Sequence, residues 1–195
     1  QKLAFWINVY NSLVVHGIVE LGLEDSVKDF GSFFGSVCYA IGGYDFSLDE
    51  IEHGILRGNR KKHLLSFRPF GDADPRRQFI VETLDPRIHF ALVCGSKSCP
   101  PIGVYQEEAI DRQLDAAAAN FIGSDVEVDT AHARIRASKV FQWYRKDFGD
   151  NADLARFIAR YRDDPAERSW LEQNAGRVAI DYLDYDWSLN HIPTA

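Results

Sequence analysis

The chain contains no methionine and only 3 cysteines among its 195 residues. An odd number of cysteines argues against a disulfide framework. Cys94 and Cys99 are close enough in sequence to bridge a loop, but nothing in the pattern requires it. No apolar run approaches the ~20 residues that span a bilayer, and no secretory signal pattern is present. Lys and Arg total 22 against 29 Asp and Glu, a formal net charge of -7 without long acidic runs. That balance argues against a nucleic-acid partner and against an anionic membrane surface. There is no C-x-x-C pair and no dinucleotide-binding glycine fingerprint. Gly42-Gly43 is too short for a phosphate loop. Repeats and low-complexity linkers are absent. The chain opens at Gln1 inside a helical pattern, as expected of a fragment or a processed product.

Hydrophobic content of 46% and charged content of 26% describe an ordinary globular protein. The length suits a single domain over residues 1–195 and can bury a substantial core. Leu3 to Leu21 reads as a helix, with Ala4, Ile7, Tyr10, Asn11, Val14, Val15, Ile18 and Leu21 inward and Gly22 as its stop. Asn8 and Asn11 share one face of it, beside Trp6 and Tyr10. Val37–Ile41 and Tyr44–Phe46 read as a hairpin turning at Gly42-Gly43, with Cys38 in the core. Ser47 and Glu50 form a capping box that opens a short helix to Arg57, stopped by Gly58. Asp49, His53 and Arg57 then share a face, with Glu50 beside them. The Asn59–Lys62 run reads as a solvated turn.

At the centre is Asp85–Pro101. Ile88–Val93, apolar, β-branched and aromatic, reads as a strand buried on both faces and ending at Cys94. A Gly/Ser loop follows, Gly95 to Cys99, closed by Pro100-Pro101. Further along, helices are predicted at Gln106–Ile122 (ending at Gly123), Lys139–Phe148, Ala152–Tyr161 and Pro165–Gln173. Val126–Asp129 and Ala133–Arg136 read as a hairpin, Val178–Tyr182 as a last strand, and Tyr185–Asn190 as an aromatic loop. Strands and helices do not alternate regularly. The expected class is α+β, a small sheet surrounded by helices.

Several of these stretches resemble one family. They are Ala4-Phe5-Trp6-Ile7-Asn8-Val9-Tyr10-Asn11, then Ser47 to Arg57, then Asp85 to Ser96, and the closing Tyr185-Asp186-Trp187-Ser188-Leu189-Asn190. In that order they are similar to the family catalogued as domain of unknown function 547, less its usual upstream helices. The resemblance implies no agreed activity. Plant members are joined to a leucine-zipper segment and discussed as complex-forming factors; some animal members are fused to glutaredoxin-like and DEP domains. The family position matching Cys94 is typically Cys, whereas that matching Cys99 is often Ser in eukaryotic members.

The chemistry that these residues suit best is thiol-dependent. A cysteine nucleophile needs a base, a group that orients the base, and donors for the developing oxyanion. Cys94 or Cys99 offers the thiol, His53 or His89 the base, and Asp49, Glu50 or Asp85 the orienting carboxylate. Asn8, Asn11 or the Gly95-Ser96 amides offer oxyanion donors. His53 is the better base, because His89 and Cys94, five apart on a strand, would point to opposite faces. The expected catalytic set is Cys94, His53, Asn8, Asn11 and Glu50, with Arg57, Ser96, Cys99 and His89 binding. Such a site suits hydrolysis or acyl transfer at an amide or peptide-like substrate, papain-like or transglutaminase-like in a permuted arrangement. No cofactor is expected. Two other readings stand beside it. One is a binding module in which Arg57, Arg87 and Lys97 receive an anionic, peptide or protein partner. The other is a zinc site from His53, His89, Cys94 and Cys99, which lacks the usual ligand spacing.

Overall fold

The computed structural model describes residues 2–190. Of these, 2–110 and 186–190 form one compact unit, and Asp111–Tyr185 the other. The mixture is α+β with small sheets, as expected. Among the described residues no helix is long and apolar enough to cross a membrane.

The first unit is built on helix α1, Lys2–Glu20. Gly22, at φ +59°, ends it, and Leu23 N–H reaches back to the Ile18 carbonyl at 3.1 Å. Ala4, Trp6, Ile7, Tyr10, Asn11, Leu13, Val14 and Gly17 are buried along it. Val15 and Leu21, expected inside, are exposed, and Ile18 is half-buried. The buried stripe runs through 10, 13, 14 and 17; Val15 lies off it, and Leu21 follows the last helical residue, Glu20.

The one-turn α2, Phe33–Ser36, leads into strands β1, Cys38–Ile41, and β2, Tyr44–Ser47. They pair antiparallel with Ile41 opposite Tyr44. Gly42 and Gly43 both have positive φ, +60° and +84°, as a tight hairpin turn of this hand demands. Cys38 is exposed, not core, because this two-stranded sheet has an open face. Trp6, Phe46 and Phe79 form an aromatic cluster with centroids 4.9–5.8 Å apart. Ile51, Ile55, Leu56, Phe70, Ile88 and Phe90 complete the core of this unit.

The central strand does not form. Pro86–Phe90 is a 3-10 helix and the chain then runs without regular structure to Cys94. Its cause is local. The Asp85 carboxylate accepts the Arg87 N–H at 3.0 Å, and Pro86 supplies the first helical φ. Asp74-Pro75-Arg76 repeats the device and opens the 3-10 helix Pro75–Phe79.

The second unit holds α3, Ile110–Asp125, from Asp111 onward; a 3-10 turn at Glu107–Ala109 of the first precedes it. Gly123 does not stop α3, which ends at Asp125. Strands β3, Val126–Asp129, and β4, Arg134–Ala137, form the expected hairpin, and β5, Ala179–Tyr182, joins β4 in parallel. Ser138 caps α4, Lys139–Trp143, which stops short of the predicted Phe148 and continues as a 3-10 turn. Helices α5, Asn151–Tyr161, and α6, Pro165–Asn174, carry N-caps Asp150 and Asp164. Leu114, Ala118, Phe121, Ile135, Phe141, Leu154, Ile158 and Leu171 are buried here.

Candidate functional site

Three asparagines organise the chain around the candidate site, and each uses both ends of its amide. Asn8 donates to the Tyr105 carbonyl at 2.7 Å and accepts the Tyr105 N–H at 2.8 Å. Asn11 donates to the Ala91 carbonyl at 2.9 Å and accepts the Val93 N–H at 3.0 Å. Asn59 does the same to Phe70, at 2.8 and 2.9 Å. A side-chain amide offers a donor and an acceptor side by side, so it mimics a peptide edge and satisfies backbone that no strand pairs. Asn8 and Asn11, expected as oxyanion donors, are therefore backbone clamps. Asn59, expected in a solvated turn, is buried at φ +60°.

Ser47 and Glu50 close their box as the sequence predicts: Ser47 N–H donates to Glu50 Oε2 at 3.0 Å, and Glu50 N–H to Ser47 Oγ at 3.2 Å. The other oxygen of Glu50 accepts from Arg76 at 2.8 Å. The helix it opens widens into a π-helix over Glu50–Leu56, with Arg57 N–H bonded to the Glu52 carbonyl at 2.8 Å. Six consecutive residues, Ile51 to Leu56, are buried in consequence. Gly54 lets Phe70 in: a Cβ there would sit 2.6 Å from the Phe70 ring.

His53 lies in this wide turn, buried, with its partners on the face that the four-residue spacing predicts. Its Nδ1 is 2.8 Å from Arg57 Nη1 and 3.6 Å from Glu52 Oε1; its Nε2 is 3.8 Å from Asp49 Oδ1. A guanidinium only donates, so Nδ1 is the acceptor and the neutral ring carries its proton on Nε2. Burial lowers the His53 pKa below the ordinary 6.5; Arg57 and Lys62 add to this, while Glu52 and Asp49 oppose it. Glu52 is a member that the sequence reading missed. It is buried, and its Oε2 accepts from the Tyr10 hydroxyl at 3.2 Å. Position 52 shares a helical face with the buried Leu48, Ile55 and Leu56, so the carboxylate is drawn into the core with them.

The pH consequence has a definite sign. The unfolded chain protonates His53 near 6.5, whereas the buried ring resists the proton. Stability is then lost as pH falls below that value, by up to about 1.4 kcal/mol per pH unit for one proton. His53→Gln is expected to flatten this slope between about pH 7 and pH 5, read from urea midpoints. An unchanged slope would mean that the folded protein takes up the proton as readily as the unfolded chain.

Cys94 is half-buried at the head of its loop. Gly95 adopts φ +79°, which favours glycine, and a Cβ there would meet the tip of the Ile18 side chain at 2.5 Å. Ser96 is fully buried with Oγ 3.1 Å from Cys94 Sγ. Cys94 N–H donates to Cys99 Sγ at 2.7 Å, and Cys99 N–H closes a turn on the Ser96 carbonyl at 3.0 Å. Residues 186–190 strap this loop down. Lys97 N–H donates to the Ser188 carbonyl, and Asn190 N–H to that of Gly95, both at 2.8 Å; Asp186 N–H donates to Ser98 Oγ at 2.9 Å.

His89 is buried in the 3-10 helix. Without a strand, the argument that pointed it away from Cys94 lapses. Arg87, expected to receive an anion, holds Asp85 with Nε and Nη2 at 2.9 and 2.5 Å. Arg57, also buried, donates to His53. Among the described residues no three His, Cys, Asp or Glu side chains are grouped to hold a metal ion, so the zinc reading gains nothing.

Searches of curated proteins and of solved structures returned no match. A family model does match, over residues 1–122, which takes in α1, the capping box, the π-helix and the Cys94 loop. On that match the chain belongs to the family described as protein of unknown function, DUF547.

Proposed function

We propose that Cys94 is a reactive thiol that carries out hydrolysis or acyl transfer on an amide or peptide-like substrate. The observation that supports this is the mounting of the thiol. Cys94 is half-exposed, yet the backbone before it is held by Asn11 and the loop after it by the terminal strap. A nucleophile fixed in this way loses little entropy when it meets a carbonyl carbon. In the reaction the thiolate attacks that carbon, the amine leaves with a proton, and water or a second nucleophile cleaves the thioester. The Ser96 hydroxyl is placed to donate to the sulfur anion. His53 serves as base in this scheme once its ring gives up the Arg57 hydrogen bond. Asn8, Asn11 and Glu50 hold backbone, and residues 1–195 work as one domain.

Iodoacetamide labelling across pH, resolved by peptide so that Cys38 is scored apart, tests the proposal. Cys94 is expected to react with an apparent pKa well below the ordinary thiol value of about 8.5. His53→Gln is expected to raise that value, and Cys94→Ser to abolish the fast phase. An unchanged pKa in His53→Gln would remove His53 from the scheme. Ordinary or absent labelling of Cys94 would favour a binding module. One observation speaks for that second reading: an open apolar hollow of about 590 Å3, lined by Phe5, Trp6, Ile41, Phe79 and Tyr105.

A further inference from the structure

We propose that Cys94 and Cys99 form a reversible disulfide by thiol–disulfide exchange with a low-molecular-weight disulfide. The 2.7 Å contact from Cys94 N–H to Cys99 Sγ carries the inference. Any rotamer keeps a cysteine N within about 4 Å of its own sulfur, so the two sulfurs lie within about 7 Å. The same bond lengths keep the two Cα atoms within about 7 Å, where disulfides form with little movement of the chain. Both side chains are half-buried, so a small reagent can reach the pair. The Cys99–Ser96 turn and the strap hold the loop in this shape without help from a bridge. Cys38, on strand β1, is removed in the test below.

The steps balance. The Cys94 N–H stabilises negative charge on Cys99, which makes Cys99 the attacking thiolate. It displaces one thiolate from the small disulfide, and that thiolate takes up a proton. Cys94 releases its proton to solvent and attacks the Cys99 sulfur of the mixed disulfide, expelling the second small thiolate. Two protein thiols are oxidised and one small disulfide is reduced to two thiols. The bridge does not depend on acyl chemistry at Cys94. Its consequence for that chemistry, withdrawal of the nucleophile under oxidising conditions, rests on the function proposed above.

The test uses the Cys38→Ser chain in excess oxidised glutathione, read by mass spectrometry. The protein is expected to lose two hydrogens. Trypsin cuts after Lys97, between the two cysteines, so the peptides on either side should stay joined until a reductant is added. Adding Cys94→Ser is expected to leave one stable glutathionyl group on Cys99. A mixed disulfide that persists when both thiols are present, or two thiols left unmodified, overturns the proposal. Bridge formation with ordinary iodoacetamide labelling of Cys94 would overturn the acyl reading alone; fast labelling without a bridge would overturn this one alone.

Discussion

Replacing Asn11 by alanine is expected to lower the unfolding free energy by about 3 kcal/mol, as two backbone groups lose their partners at ~1–3 kcal/mol each and partly recover in water. The two groups gain little access to water, because Asn11 is only 2% exposed. The Ala91 carbonyl and the Val93 N–H are then left inside the unit with no strand beside them. Urea denaturation measures the loss, and amide exchange at Val93 localises it. Asn11→Asp separates the two halves of the clamp: it keeps an acceptor for Val93 but cannot donate to Ala91 at neutral pH. It should also destabilise, since it buries a charge. A loss below about 1 kcal/mol in Asn11→Ala would show that ordered water replaces the amide, and the rigid mounting of Cys94 would lose its main support.

Gly54→Ala is expected to cost about 2–3 kcal/mol, the upper part of the range for overpacking a core. The new methyl would lie 2.6 and 2.7 Å from Phe70 Cε2 and Cζ. The ring cannot simply swing away. Phe70 is 1% exposed, Asn59 holds both its N–H and its carbonyl, and the Arg76 guanidinium lies 4.7 Å from the ring centroid. The turn must therefore open around His53, and the Arg57–His53 contact should weaken with it. Thermal unfolding gives the magnitude; the His53 C–H proton resonances, titrated by NMR, give the local effect. A change within about 0.5 kcal/mol, the range of a neutral surface substitution, would mean that the π-turn relaxes to an ordinary helix at no cost.

Both variants act on features that were only half legible. The two asparagines of α1 stood out because Asn is a poor residue inside a helix. What they bind, Tyr105 in one case and residues 91 and 93 in the other, lies about 80 to 100 positions away in sequence, beyond any local pattern. Asn59 carried no signal, since Asn before a basic run reads as a turn. Asp-Pro is a turn signal as well as a helix start, and at Asp74, Asp85 and Asp164 alike it N-caps a helix. At Ile88–Val93 β propensity points to a strand, but among the described residues no neighbouring strand pairs with it, and propensity in sheets depends on such a neighbour.

The sequence by itself determined the family, the α+β class, the glycine-turned β1–β2 hairpin and the caps, and the placing of Asp49, His53 and Arg57 on one face. These follow from residue spacing and short-range hydrogen bonds. Only the tertiary structure decided that Glu52 joins that group, that α1 clamps the Cys94 segment, and that the terminal strap fixes the loop between Cys94 and Cys99. Each of those depends on a buried backbone or charged group finding a partner from a distant part of the chain, because burial leaves it no water to turn to.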